Sequence, residues 1–145
     1  MSLISRYSLT CEMFFDAAHR LSNYEGKCKR IHGHTYKVIV EISANSLNDW
    51  GAIMDFGDLK KMMNTYIDEV YDHKLLLFDK DPVNEQISET LPTDGGVYWM
   101  TANPTAENIA ADIYASLKAI IKDDTYLEKV TVYETPTNAA SYTEK

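Results

Sequence analysis

The chain has 145 residues, 45% hydrophobic and 25% charged, with a formal net charge of −8. That size fits one domain, residues 1–145, able to bury a core without staples, and the balance excludes a disordered or fibrous chain. The acidic total argues against a broad nucleic-acid surface, and no apolar run is long enough to span a bilayer.

Met1 to Arg6 lacks the basic start and continuous apolar stretch of a secretory signal, so the expectation is an intracellular, cytoplasmic protein. The next segment, Arg6 to His19, places Tyr7, Leu9, Cys11, Met13, Phe15, Ala17 and His19 on one parity and reads as a long strand. Cys11 reads as a small buried apolar residue. Cys11 and Cys28 alone make no disulfide scaffold, and in a reducing compartment Cys28 stays a free thiol or a ligand.

Residues 20 to 37 set Arg20, Lys27, Lys29, Arg30 and Lys37 against one acid, Glu25. Such an island suits a phosphorylated small molecule, with Arg20 and Lys29 as contacts; the alternative is a solvated loop. After it, Tyr36, Val38, Val40 and Ile42 fall on one face. A strand beginning at or before His32 points His32 and His34 inward with that apolar face.

A turn-rich stretch from Asn45 to Gly51 leads to Asp55, an N-cap for a helix carrying Phe56, Leu59, Met63, Tyr66, Ile67 and Val70. That helix delivers Asp72 and His73 just past its end. Residues 79 to 103 read as a long loop with a short hairpin around Val97 to Met100. Pro104 and Thr105 then start a second helix with Ala106, Ile109, Ala110, Ile113, Leu117 and Ile120 on one stripe.

The last strand carries Val130, Val132 and Glu134 on one parity, followed by a turn and a return strand near Tyr142. An ionised Glu134 on an apolar face requires a cation or a ligand as partner. The order strand, strand, helix, helix, strand, strand is that of an α+β fold: an antiparallel sheet with helices on one face. Joining subunits edge to edge would cover its open strands.

Three histidines with a fourth position open form the arrangement of a catalytic zinc site, and His19, His32 and His34 are the candidates. Gly33 removes a side chain from the opposite face between two of them. Cys28 is either the fourth ligand of a closed structural site or a catalytic residue beside an open one. Its neighbours Lys27, Lys29 and Arg30 favour the reactive thiolate. Asp72 beside His73 suits an orienter and proton carrier; the alternative is a helix-terminal histidine meeting the dipole. No dinucleotide fingerprint is present.

Taken in order, Phe15-Asp16-Ala17-Ala18-His19-Arg20-Leu21, Cys28-x-x-x-His32-Gly33-His34, Met54-Asp55-Phe56, Asp72-His73, Pro104-Thr105-Ala106-Glu107-Asn108 and Glu134-Thr135-Pro136 resemble the 6-pyruvoyl-tetrahydropterin synthase superfamily. The three residues between the cysteine and His-Gly-His are similar to its 6-carboxytetrahydropterin synthase branch, of the queuosine and deazapurine pathway.

The resemblance implies a tunnelling fold: an antiparallel four-stranded sheet with two helices, forming trimeric barrels that stack as a homo-hexamer. It implies a zinc-dependent carbon–oxygen lyase that converts 7,8-dihydroneopterin triphosphate to 6-carboxy-5,6,7,8-tetrahydropterin, releasing triphosphate and acetaldehyde. By position, His19, His32 and His34 would bind Zn2+, Cys28 with Asp72 and His73 would move protons, and Glu134 would anchor the pterin. Thr105 and Glu107 would contact substrate, with helix capping as their alternative. Segment 79–103 is longer than compact members carry and is expected near the site. Two rivals are the same scaffold stopping at the 6-pyruvoyl product and a non-catalytic zinc module closed by Cys28.

Overall fold

A computed structural model of the chain describes residues 6–91, 94–121 and 124–145. Of the residues discussed above, Met1 to Ser5 and positions 92 and 93 of the 79–103 segment lie outside that description. The elements run β1 (Tyr7–His19), β2 (His32–Ala44), α1 (Phe56–Val70), β3 (Leu75–Phe78), α2 (Asn84–Thr90), β4 (Val97–Met100), α3 (Ala106–Ile120), β5 (Thr125–Thr135) and β6 (Asn138–Tyr142).

Alternation of apolar and polar residues makes β1 and β2 two-faced, and they pair antiparallel from Tyr7 opposite Ala44 to His19 opposite His32. Cys11, Phe15, Ala17 and His19 are buried on β1, as are Tyr36, Val38, Val40 and Ile42 on β2. β5 pairs antiparallel with β2, and β6 antiparallel with β5. These four strands are the antiparallel sheet expected from the sequence.

Among the described residues the sheet has six strands, however, in the order β4-β3-β1-β2-β5-β6. β3 joins β1 in parallel at Ala18 and His19, and β4 pairs in parallel with β3. The 79–103 segment is therefore no loop with a hairpin: it holds a third helix, α2, and a parallel strand. The physical reason is local. Leu75–Phe78 is a continuous apolar run with Leu76 and Leu77 buried, as parallel strands tend to be, so alternation cannot mark it.

Asp55 caps α1 by accepting the Gly57 N–H at 2.6 Å, and Thr105 caps α3 by accepting the Asn108 N–H at 3.2 Å. Leu59, Met63 and Ile67 of α1 and Ile109, Ile113 and Leu117 of α3 are buried in one core with Phe15, Tyr36 and Val38. Each such side chain contributes about 1.5–3 kcal/mol by leaving water. The other face of the sheet is open, with Phe14 61% exposed. Among the described residues, no strand lies beside the outer edge of β1 from Tyr7 to Phe15. No helix among them is long and apolar enough to cross a membrane.

Candidate active site

Pairing of β1 with β2 brings the first two histidines directly opposite each other, and His34, two residues along β2, shares their face. Their ligand atoms all lie within 4.8 Å of one another, and His19 Nε2 is 3.1 Å from His32 Nε2. The outer nitrogens are occupied. His19 Nδ1 donates to the Pro104 carbonyl at 2.7 Å, and His32 Nδ1 to the Arg30 carbonyl at 2.7 Å. A carbonyl only accepts, so the protons sit on Nδ1 and the two Nε2 atoms face each other as lone pairs.

Such a contact is repulsive unless a cation lies between. His34 Nε2 is also buried and has no hydrogen-bond partner among the described residues. The donor set thus fits a divalent cation held by three neutral imidazoles, two of them oriented from behind by backbone carbonyls. Burial pushes the pKa of His19 down, against the pull of the Pro104 carbonyl and Glu134, and burial likewise lowers His34. Both shifts favour the neutral ring that binds metal. Tyr36, fully buried, closes the floor with its hydroxyl 3.1 Å from His19 Nδ1. Its place on the apolar stripe of β2 marks it in sequence only as core.

Glu134 borders this trio, with Oε1 3.3 Å from His19 Nε2 and 3.5 Å from His34 Nε2. It sits where the pairing of β5 with β6 shifts register between Tyr133 and Thr135, an irregularity of the kind that re-aims a side chain. Beside it is a depression of about 420 Å³ lined by Phe14, His34, Lys37, Tyr133, Glu134 and Pro136.

Asp72 and His73 follow α1, with His73 in the left-handed region at φ 61°. The His73 N–H donates to the Asp16 carbonyl at 2.7 Å, while Asp72 Oδ1 accepts the Asp16 N–H at 3.0 Å and Oδ2 accepts from His73 Nδ1 at 2.8 Å. The Asp72 hydrogen bond, then its charge, raises the pKa of the His73 ring. Partial burial pushes Asp72 up, but the Asp16 N–H and His73 outweigh it and leave its pKa lowered. His73 lines a cavity of about 630 Å³ with Asp16, Ala18, Gly33, Thr35 and Lys74. Asp16, Ala18, Gly33 and Thr35 are the outward positions of β1 and β2, so the pair lies over the outward side of the sheet, and His34 borders the same cavity.

Cys28 lies half-buried in a single 3-10 turn, Lys27–Lys29, and its sulfur is not among the ligand atoms grouped with the trio. The Leu21 N–H donates to its carbonyl at 2.8 Å. Arg20 is engaged within the chain: Nε donates to Asp81 at 2.7 Å and Nη1 to the Lys29 carbonyl at 2.9 Å. The Lys29 and Glu107 residues are exposed, and Thr105 is half-buried at its cap. Asp81 is a residue that sequence reasoning missed, since its partner lies 61 positions away.

Comparison with known proteins agrees with this geometry. The family model for 6-pyruvoyl tetrahydropterin synthase matches residues 8–145. The chain is 36% identical over 124 residues to a 6-carboxy-5,6,7,8-tetrahydropterin synthase of Rickettsia conorii, covering 84% of this chain and 89% of that protein. It is 33% identical over 143 residues to the protein of the same name from Haemophilus influenzae, covering 95% and 99%. The solved structure of Caenorhabditis elegans 6-pyruvoyl tetrahydropterin synthase superposes with a TM-score of 0.70 at 29% identity, covering 100% of both chains. The α+β sheet with its helices on one face is accordingly the tunnelling fold, and the chain belongs to the 6-pyruvoyl tetrahydropterin synthase family of enzymes.

Proposed function

We propose that this enzyme is a zinc-dependent lyase converting 7,8-dihydroneopterin triphosphate to 6-carboxy-5,6,7,8-tetrahydropterin, with release of triphosphate and acetaldehyde. The observation that carries the reading is the convergence of three imidazole nitrogens, one of them buried and without a hydrogen bond among the described residues, beside the Glu134 carboxylate. Relatives named for that product span most of the chain and support this branch over the pyruvoyl-forming one.

His19, His32 and His34 would hold the metal, and a bound zinc supplies Lewis acidity toward the hydroxyls of the substrate side chain. Glu134 accepts two parallel hydrogen bonds from the 2-amino and N3 edge of the pterin, the pairing a carboxylate makes best. Phe14 and Tyr133 line the depression beside Glu134 on the open face of the sheet. Cys28 takes up a proton as a side-chain carbon is activated, and His73, made more basic by Asp72, returns one. Ring reduction is balanced by oxidation within the side chain, so no nicotinamide takes part. Thr105, Glu107 and Lys29 complete the substrate contacts in this reading.

Asp72 and His73 lie over the outward side of the sheet, whereas His19 and His32 meet on the inward side, and in this reading the Asp72–His73 pair serves the substrate bound by a neighbouring copy. The unpaired edge of β1 supports such an assembly, a homo-hexamer built as a dimer of trimers. The free thiols suit the reducing cytoplasm, where the product would enter deazapurine and queuosine synthesis.

The test is incubation of zinc-loaded protein with dihydroneopterin triphosphate, followed by product mass and an acetaldehyde assay. The carboxy product with stoichiometric acetaldehyde is expected. A pyruvoyl product without acetaldehyde would overturn the branch, and no turnover together with loss of metal in Cys28→Ala would leave a metal-stapled module instead.

A further inference from the structure

We propose that Asp81 is a positioning residue for the Cys28 loop, acting through Arg20 to fix the backbone that joins Cys28 to the metal ligand His32. The inference rests on the reading of Cys28 as a proton-moving group.

The side chain of Asp81 is fully buried and that of Arg20 is 19% exposed, so this is no ordinary surface pair. A desolvated carboxylate persists only with a partner of opposite charge, and Arg20 Nε supplies it at 2.7 Å. The same guanidinium reaches on with Nη1 to the Lys29 carbonyl at 2.9 Å. The other carboxylate oxygen of Asp81 accepts the Val83 N–H at 3.1 Å, which ties the pair to the start of α2.

Three consecutive carbonyls of the loop are thereby held. The Leu21 N–H takes that of Cys28 at 2.8 Å, Arg20 takes that of Lys29, and His32 Nδ1 takes that of Arg30 at 2.7 Å. The middle grip depends on a group that Asp81 itself holds. A second tie works from the far end of the same inserted segment, where Asn103 Oδ1 accepts the Ser22 N–H and hydroxyl at 3.0 Å each. The segment 79–103 thus braces the loop at both ends, although the loop has only one short turn of regular structure.

Two substitutions in the full zinc-loaded chain test this. Asp81→Asn keeps the shape and removes the charge; Arg20→Lys keeps a cation for Asp81 but lacks the planar fork that also reaches Lys29. The measurements are kcat, KM for dihydroneopterin triphosphate, zinc content, and the iodoacetamide alkylation rate of Cys28, resolved from Cys11 by peptide mass spectrometry. The expected result is a fall in kcat of about 10- to 100-fold. KM stays within about twofold, zinc content is unchanged, and the alkylation rate of Cys28 shifts in both variants, with Asp81→Glu recovering part of each effect.

Unchanged kcat and unchanged alkylation in Arg20→Lys would overturn the proposal. So would a raised KM at constant kcat, which would make Arg20 a phosphate contact. If Asp81→Asn fails to fold, Arg20→Lys decides alone, because it retains the ion pair. Alkylation needs no turnover, so an unsubstituted chain without pterin activity would sink the functional reading while the thiol measurement still judged the positioning role.

Discussion

His19 and Pro104 are joined by a hydrogen bond of 2.7 Å across 85 positions of sequence, from the ring Nδ1 to the backbone carbonyl. Pro104 immediately precedes Thr105, the cap of α3, so the start of a helix sets the tautomer and aim of a proposed metal ligand. Helix and metal centre are therefore expected to stabilise each other.

Metal removal tests the first half of that coupling. Stripping with a chelator lowers the Tm measured by calorimetry, and added zinc restores it, because a ligand bound only to the folded chain stabilises by about 2.7 kcal/mol at a hundredfold excess over Kd. His34→Ala abolishes the response. Identical melting with and without zinc would contradict the assignment of the trio.

Thr105→Ala tests the second half. Losing the cap costs about 1 kcal/mol in urea unfolding, and Thr105→Ser retains most of it. Zinc affinity falls with the cap, since the Pro104 carbonyl is held less firmly. A rise in KM without a change in stability would instead make Thr105 a substrate contact.

For Asp72 and His73 the sign follows from the raised folded pKa of the ring. The stabilisation from His73 is fully present below its unfolded pKa of about 6.5 and is lost as pH rises through the higher folded value. Asp72→Asn brings the ring pKa down, visible by NMR titration, and moves the alkaline limb of the activity profile to lower pH. A ring titration unaffected by Asp72→Asn would contradict the pairing.

A separate network braces α3 against α1 and β4. The hydroxyls of Tyr71 and Tyr98 both donate to Asp112 Oδ2, and burial, with Asp112 adding to it, pushes both phenols well above their ordinary range. Asp112→Ala removes the acceptor shared by both hydroxyls and costs about 1–3 kcal/mol, whereas Tyr71→Phe, which leaves Asp112 its second partner, costs about 1 kcal/mol. Urea unfolding of the two variants gives that order.

Much of the histidine trio is legible in sequence because a strand has period two. Once His32 and His34 share parity with Tyr36 and Val38, and His19 with Phe15 and Ala17, burial of both faces brings the rings together. The helix caps Asp55 and Thr105 are local features and equally readable. β3 and α2 are not: one is apolar without alternation, and the other has seven residues with none buried. Asp81 reads as a turn residue before Pro82, because nothing local announces that a distant arginine will desolvate it. Nor does strand parity continue past the end of α1, so the face on which His73 falls becomes visible only when the chain folds back along Asp16.

The sheet is one peptide layer thick, and the Asp72–His73 pair lies over its outward positions while His19 and His32 meet on the inward side. In the proposed hexamer a copy lacking His32 and a copy lacking His73, each inert by itself, would regain partial turnover when unfolded and reassembled together. A cell carrying one damaged allele of each kind would then be healthier than either defect taken alone implies.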